Sequence, residues 1–268
     1  MITRKYDGQL LVVTQPHHAE LAGQLAAQWG NDGFQELKPG MAMIRAANEH
    51  DNGWREWDNR PTIDPEEGLP WSFATLTYVE HSKLYWRGIL LAADEDPYEG
   101  LMVSMHGRGL YNQRYGTDLA MKRVAQGPGE KIAVKRFVKA NELLQKKLRR
   151  RLAASSRYRS QASDRQIWAN YFLLQAFDRI ALHLCWKGLI PYGVQNVPKD
   201  YDKGEGVSLN LEPTSDGAIK LTPYPFMQKP FEASATGCLV PLQKYESDGQ
   251  FREKYYRGKR IELKFKFK

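Results

Sequence analysis

The sequence predicts a mainly α, α+β fold. A helical core with an N-terminal strand is expected over residues 1–190, and a small C-terminal antiparallel β-sheet over residues 191–268, packed on that core. Three observations lead there. Apolar residues recur at helical spacing through most of residues 16–187. After Pro191, Gly, Pro and Asp become frequent and the period shortens to two. The last eight residues, IELKFKFK, set Ile261, Leu263, Phe265 and Phe267 on one face and charges on the other, as in a half-buried strand.

The elements follow in order. QLLVVT at residues 9–14 reads as a short strand, able to join the C-terminal sheet. Residues 16–29 read as a helix with Pro16 in its first turn, ended by Gly30 and Gly33. A second helix spans about residues 40–49. A loop with NGW, NRP and DPEEGLP leads to a helix over residues 71–94. Asp96 and Glu99 bracket Pro97 in a capping box, opening a helix to about Leu110. Glycines 107, 109, 116, 127 and 129 mark an irregular stretch before a basic helix over residues 130–154. Ser163 and Gln166 form a second capping box for a helix running to Lys187, closed by Gly188 and Pro191.

The 268 residues are 42% hydrophobic and 26% charged, which excludes a disordered or fibrous chain. No apolar run is long enough for a membrane helix, and the first residues do not read as a signal peptide. Cys185 and Cys238 cannot build a disulfide framework, so a reducing, cytoplasmic setting is expected. The net charge of +8 is concentrated: residues 131–165 hold twelve Lys or Arg against Glu142 and Asp164. Such a segment could attract nucleic acid or a phosphorylated substrate, and suits a solvated helix face equally well. No P-loop, nucleophile-elbow or Cys-His signature is present.

Chemistry gathers on the histidines, of which there are six. His18 is in register with Leu21, Ala22 and Leu25; His50 with Met43, Ala46 and Ala47; His81 with Tyr78 and Tyr85; His106 with Met102, Val103 and Leu110. All four should therefore face the core. Asp178 lies in the middle of the stripe Ile167, Tyr171, Leu174, Ala181, Leu182 and Cys185, where an unpaired carboxylate would be very costly. Asp51 directly follows His50. Inward imidazoles and carboxylates on successive helices point to a metal centre for Zn, Fe, Mn or Mg. His17 and His183 fall off these stripes.

The order His18, His50-Asp51, His81, His106, Asp178 over residues 10–190 resembles the HD-domain superfamily, in its binuclear H…HD…H…H…D branch. The segments HHAELAGQLA, HDNGW and LLQAFDR also resemble an uncharacterised bacterial domain-of-unknown-function family. The HD resemblance implies two divalent ions. His18, His50, Asp51 and Asp178 would hold one; Asp51, His81 and His106 would hold the other, with Asp51 and His81 as the catalytic pair. It implies either a phosphohydrolase or a mixed-valent diiron oxygenase, of which myo-inositol oxygenase is an example. That enzyme carries a lysine three residues after the motif aspartate; here the position is Trp54.

Arg108, Arg114 and Tyr115, in the loop GRGLYNQRYG after His106, are expected to hold an anionic or polar small substrate, with Trp54 near it. Hydrolysis of a small phosphorylated molecule is the leading expectation and diiron oxygenation the alternative. A third reading is a non-catalytic module with a structural metal, whose basic segment binds nucleic acid.

Overall fold

The computed structural model describes residues 1–118, 125, 127–202, 204 and 206–268. In chain order its elements are β1 (Ile2–Tyr6), β2 (Gln9–Val13), α1 (Gln15–Ala27), α2 (Gly40–Glu49), a 3-10 turn (Asn52–Trp54), α3 (Arg55–Asn59), β3 (Ile63–Asp64), β4 (Leu69–Pro70), α4 (Tyr78–Glu95) and α5 (Pro97–Gly109). There follow the single turn α6 (Gln113–Gly116), α7 (Pro128–Ala154), a 3-10 turn (Arg159–Gln161), α8 (Asp164–Trp186), β5 (Tyr192–Pro198), β6 (Gly206–Pro213), β7 (Ile219–Thr222), β8 (Phe231–Pro241), α9 (Asp248–Arg257) and β9 (Lys259–Phe267).

The sheet corrects the expected fold class. It is not a small C-terminal antiparallel appendage but a seven-stranded sheet in the order β1-β2-β8-β9-β7-β6-β5. The chain's first residues supply one end of it: β1 and β2 form a hairpin, and β2 pairs with β8. β9 runs antiparallel to β8 and meets β7 in parallel at Ile219 and Phe267. The α+β description stands.

Two physical reasons explain the difference. The hairpin turn is Asp7-Gly8, both residues at positive φ (47° and 72°), as a two-residue turn with the twist of its strands requires. That signal lies in the sequence, beside a β1 whose charges disguise it. β8 is rich in Ala, Ser and Gly, residues with weak strand preference, and is held in place by its neighbours.

The apolar run of β2 is continuous because both of its faces are covered. Leu11 and Val13 pack into the main core, whereas Leu10 and Val12 pack with Phe251 and Tyr255 of α9 on the opposite face. α9 itself lies within a region expected to be strand. The third expected helix also starts later: Thr77, not residue 71, caps α4, its hydroxyl accepting from the Glu80 amide.

The sheet fixes the helices that carry the site. α1 lies on β8 and α8 on β5. Gln24 of α1 clamps Ser234 of β8, donating to its carbonyl and accepting from its amide, each at 2.9 Å. α2, α4 and α5 complete the bundle around α1 and α8. The turn after α2 presses on α4 so closely that a Cβ on Gly53 would lie 1.9 Å from the Leu84 carbonyl oxygen, which is why the HDNGW segment has glycine there. Among the described residues, no helix is long and apolar enough to cross a membrane.

Candidate metal centre

Each candidate ligand is delivered by a helix end or a helix face. Thr14 caps α1 and Pro16 opens it, placing His18 one turn inside the helix. His50 caps the C-terminal end of α2, and Asp51 leads directly into the 3-10 turn. His106 comes from α5 and Asp178 from the middle of α8. These five residues are each at most 3% exposed.

Five buried polar side chains from four helices converge. His18 Nε2 lies 3.3 Å, and His50 Nε2 3.4 Å, from Asp178 Oδ1. Asp51 Oδ2 is 3.8 Å from His50 Nε2, while its other oxygen, Oδ1, is 3.7 Å from His106 Nε2. Donors about 2.1 Å from one ion stand roughly 3.0–3.4 Å apart in octahedral or tetrahedral geometry, so a small inward movement would close this shell. Two triads, His18-His50-Asp51 and His50-His106-Asp178, offer ligand atoms that lie within 4.8 Å of one another.

The donor chemistry fits a cation. The Nδ1 atoms of His18 and His50 lie 2.8 and 2.7 Å from the carbonyls of Gln15 and Ala47. Donation to those carbonyls fixes the ring orientation and directs each Nε2 inward, as in histidine metal ligands generally. His50 Nε2, His106 Nε2 and Asp51 Oδ1 are buried without a hydrogen-bond partner. One such atom costs about 1–3 kcal/mol, and a bound cation would offer all three a partner.

The electrostatics agree. Burial raises the Asp51 carboxyl, but His50, His106 and His18 outweigh it and hold the group well below its usual range. Asp178 is also held low: burial is opposed chiefly by Arg114, then by His18 and His50. Burial alone would pull His50 down, yet Asp51 and Asp178 bring its pKa up to about 9. For His106, burial prevails and its pKa falls. Two ionised carboxylates in a dry site thus draw positive charge to themselves.

The cluster lies at a cavity of about 510 Å³, a size suited to a small molecule. His81 lines this cavity but belongs to neither triad; its Nδ1 is 2.6 Å from the Tyr111 hydroxyl and its ring packs on Tyr85. Arg114 also lines it, 5% exposed, with one guanidinium nitrogen 3.0 Å from Asp178 Oδ2. The other three expected substrate residues are placed elsewhere. Arg108 pairs with Glu142 of α7, the Tyr115 hydroxyl meets Gln145 and its ring packs on Trp168, and Trp54 sits fully buried beside His81 and Tyr85.

The placement of Arg114 rests on unusual backbone. Gln113, Arg114 and Tyr115 have φ of 56°, 50° and 59°, a left-handed conformation that non-glycine residues adopt at a cost. Asn112 supports the turn by accepting from the Tyr115 amide. The outcome is a buried cation behind the Asp178 carboxylate.

Two further residues were not singled out in the sequence. The Tyr85 hydroxyl is pushed well above its usual pKa by burial and by Asp51, keeping it a proton donor beside that carboxylate. Gln175 Nε2 is 3.4 Å from His106 Nδ1. Gln175 lies one turn before Asp178 on α8, and that spacing is the signal that could have found it.

Because an ion would bind the folded chain and not the unfolded one, removing it should be visible thermally. An ion at one hundred times its Kd stabilises by about 2.7 kcal/mol, so chelation is expected to lower the Tm by roughly 5–10 °C. Thermal unfolding followed by circular dichroism, with Mn²⁺ and with chelator, checks this; identical curves would contradict it.

No curated protein and no solved structure matches the chain. One family does, over residues 1–242, a span that includes every residue of the cluster. The chain belongs to the family described as protein of unknown function (DUF3891).

Proposed function

We propose that the protein is a metal-dependent phosphohydrolase of HD-like chemistry acting on a small phosphorylated molecule. The observation that carries this reading is the attitude of Asp51. Its two oxygens face the Nε2 atoms of different histidines, Oδ2 that of His50 and Oδ1 that of His106, and the oxygens of Asp178 divide in the same sense, Oδ1 towards His18 and His50 and Oδ2 towards His106. A carboxylate so placed suits a bridge between two ions. His18, His50, Asp51 and Asp178 would hold the first; Asp51 and His106, with His81 from the cavity wall, would hold the second. When bound, such ions lower the pKa of water towards neutrality and neutralise a phosphoryl group.

The chain's own residues do the rest. Arg114 fixes Asp178 and adds a positive charge to the cavity, suited to a phosphoryl oxygen. Tyr111 orients the His81 ring through Nδ1. Phe73, Tyr78, Leu110, Leu182 and Trp186 give the cavity a largely apolar wall.

The test is phosphoester cleavage by protein loaded with Mn²⁺, Zn²⁺ or Mg²⁺, across aryl monoesters and diesters. Metal-dependent turnover is expected, with His81→Ala losing one of two bound ions and at least about 100-fold in rate. No cleavage with any ion would overturn the reading.

One observation favours a second reading, a diiron oxygenase. The cavity wall is largely aromatic and aliphatic, and Arg114, its one cation besides histidine among the described residues, already serves Asp178. Substrate-dependent oxygen uptake by iron-loaded protein would select it.

A further inference from the structure

A second chamber, of about 390 Å³, adjoins the metal cavity and shares Arg114, Leu182 and Trp186 with it. α8 builds the partition. Asp178, Leu182 and Trp186, four residues apart, line the metal cavity, while Arg179, His183 and Lys187, one position further along, line the second chamber.

Its charge is unbalanced. Among the described residues, Arg114, Arg179 and Lys187 face it against Asp118, and Arg114 is also paired with Asp178 of the neighbouring cavity. Asp118 lies 3.7 Å from Arg114 Nε. Among the described residues, Arg179 and Lys187 have no carboxylate partner: Arg179 Nε donates to the Tyr192 hydroxyl at 3.2 Å, and Lys187 Nζ rests 3.5 Å over the Trp186 ring. Arg114 NH1 is buried without any hydrogen-bond partner. A buried guanidinium nitrogen left unpaired where two chambers meet calls for an acceptor, and Arg179 and Lys187, two cations without carboxylate partners, suit a phosphoryl group there.

We infer that this chamber is an anion subsite that takes a second phosphoryl group of the substrate. The inference rests on the metal-site reading for the position of the first. The substrate class then narrows to small molecules with two phosphoryl groups, one at the ions and one held by Arg114, Arg179 and Lys187.

The test measures inorganic phosphate binding to chelated, metal-free protein by calorimetry, with acetate at equal ionic strength as comparison. Phosphate should bind, acetate should not compete, and R179Q/K187Q should weaken phosphate at least about tenfold, the worth of one charge-assisted hydrogen bond. Mn²⁺ affinity of that variant should be unchanged, which also reports that it is folded. Phosphate binding unaffected by the two substitutions, equal binding of acetate, or no phosphate binding would each overturn the subsite. Phosphate binding by a wild-type protein that takes up no Mn²⁺ would sink the metal reading and leave the subsite standing.

Discussion

Replacing Asp51 by alanine is expected to weaken metal binding by more than about 100-fold, beyond the 10–100-fold loss typical when only a residue behind a ligand is removed. The two oxygens of Asp51 reach separate imidazoles, those of His50 and His106, so its loss opens both parts of the centre. It also strands His50, whose raised pKa of about 9 depends on Asp51 and Asp178. His17→Ala serves as the contrast, because His17 lies outside both triads. Titration with Mn²⁺ followed by electron paramagnetic resonance separates the two variants. Equal losses in both would show that Asp51 is not a ligand.

The second large effect concerns stability. Asp178→Asn in chelated protein should cost about 3–5 kcal/mol, the usual penalty for leaving a buried charge uncompensated. That corresponds to a fall in Tm of roughly 6–20 °C. The stranded charge is Arg114, 5% exposed and otherwise near only Asp118 at 3.7 Å. Removing both members, as Arg114→Met with Asp178→Asn, should recover much of the loss, because the Arg114 charge is then no longer stranded. Denaturant unfolding of the four proteins in the cycle measures the coupling. Additive losses would mean that the two groups stabilise the fold independently.

The convergence of His18, His50, Asp51, His106 and Asp178 was legible because each sits on a regular helix or at its end, where spacing along the chain determines direction in space. Arg108 and Tyr115 were not legible for the same reason reversed. After Gly109 the chain enters the left-handed turn Gln113–Tyr115, which no helical period anticipates, and the turn sends Arg114 inward while its neighbours face α7 and Trp168. His81 was legible as inward-facing; its separation from the triads follows from its contacts with Tyr111 and Tyr85, which no spacing encodes. β2 was readable as a strand, but the extent of the sheet was hidden because β1 carries Arg4 and Lys5 and β8 is rich in small residues. Asp7-Gly8 was the readable clue.

The most direct test of the central claim, a buried metal centre in this cluster, is the metal content of protein purified without oxygen, by elemental analysis with electron paramagnetic resonance on the same sample. A stoichiometric divalent transition ion or Mg²⁺ is expected, restored on reconstitution after chelation. Protein that stays metal-free after reconstitution with Fe²⁺, Mn²⁺, Zn²⁺ and Mg²⁺ would contradict it, and would make the five residues a self-satisfied polar core.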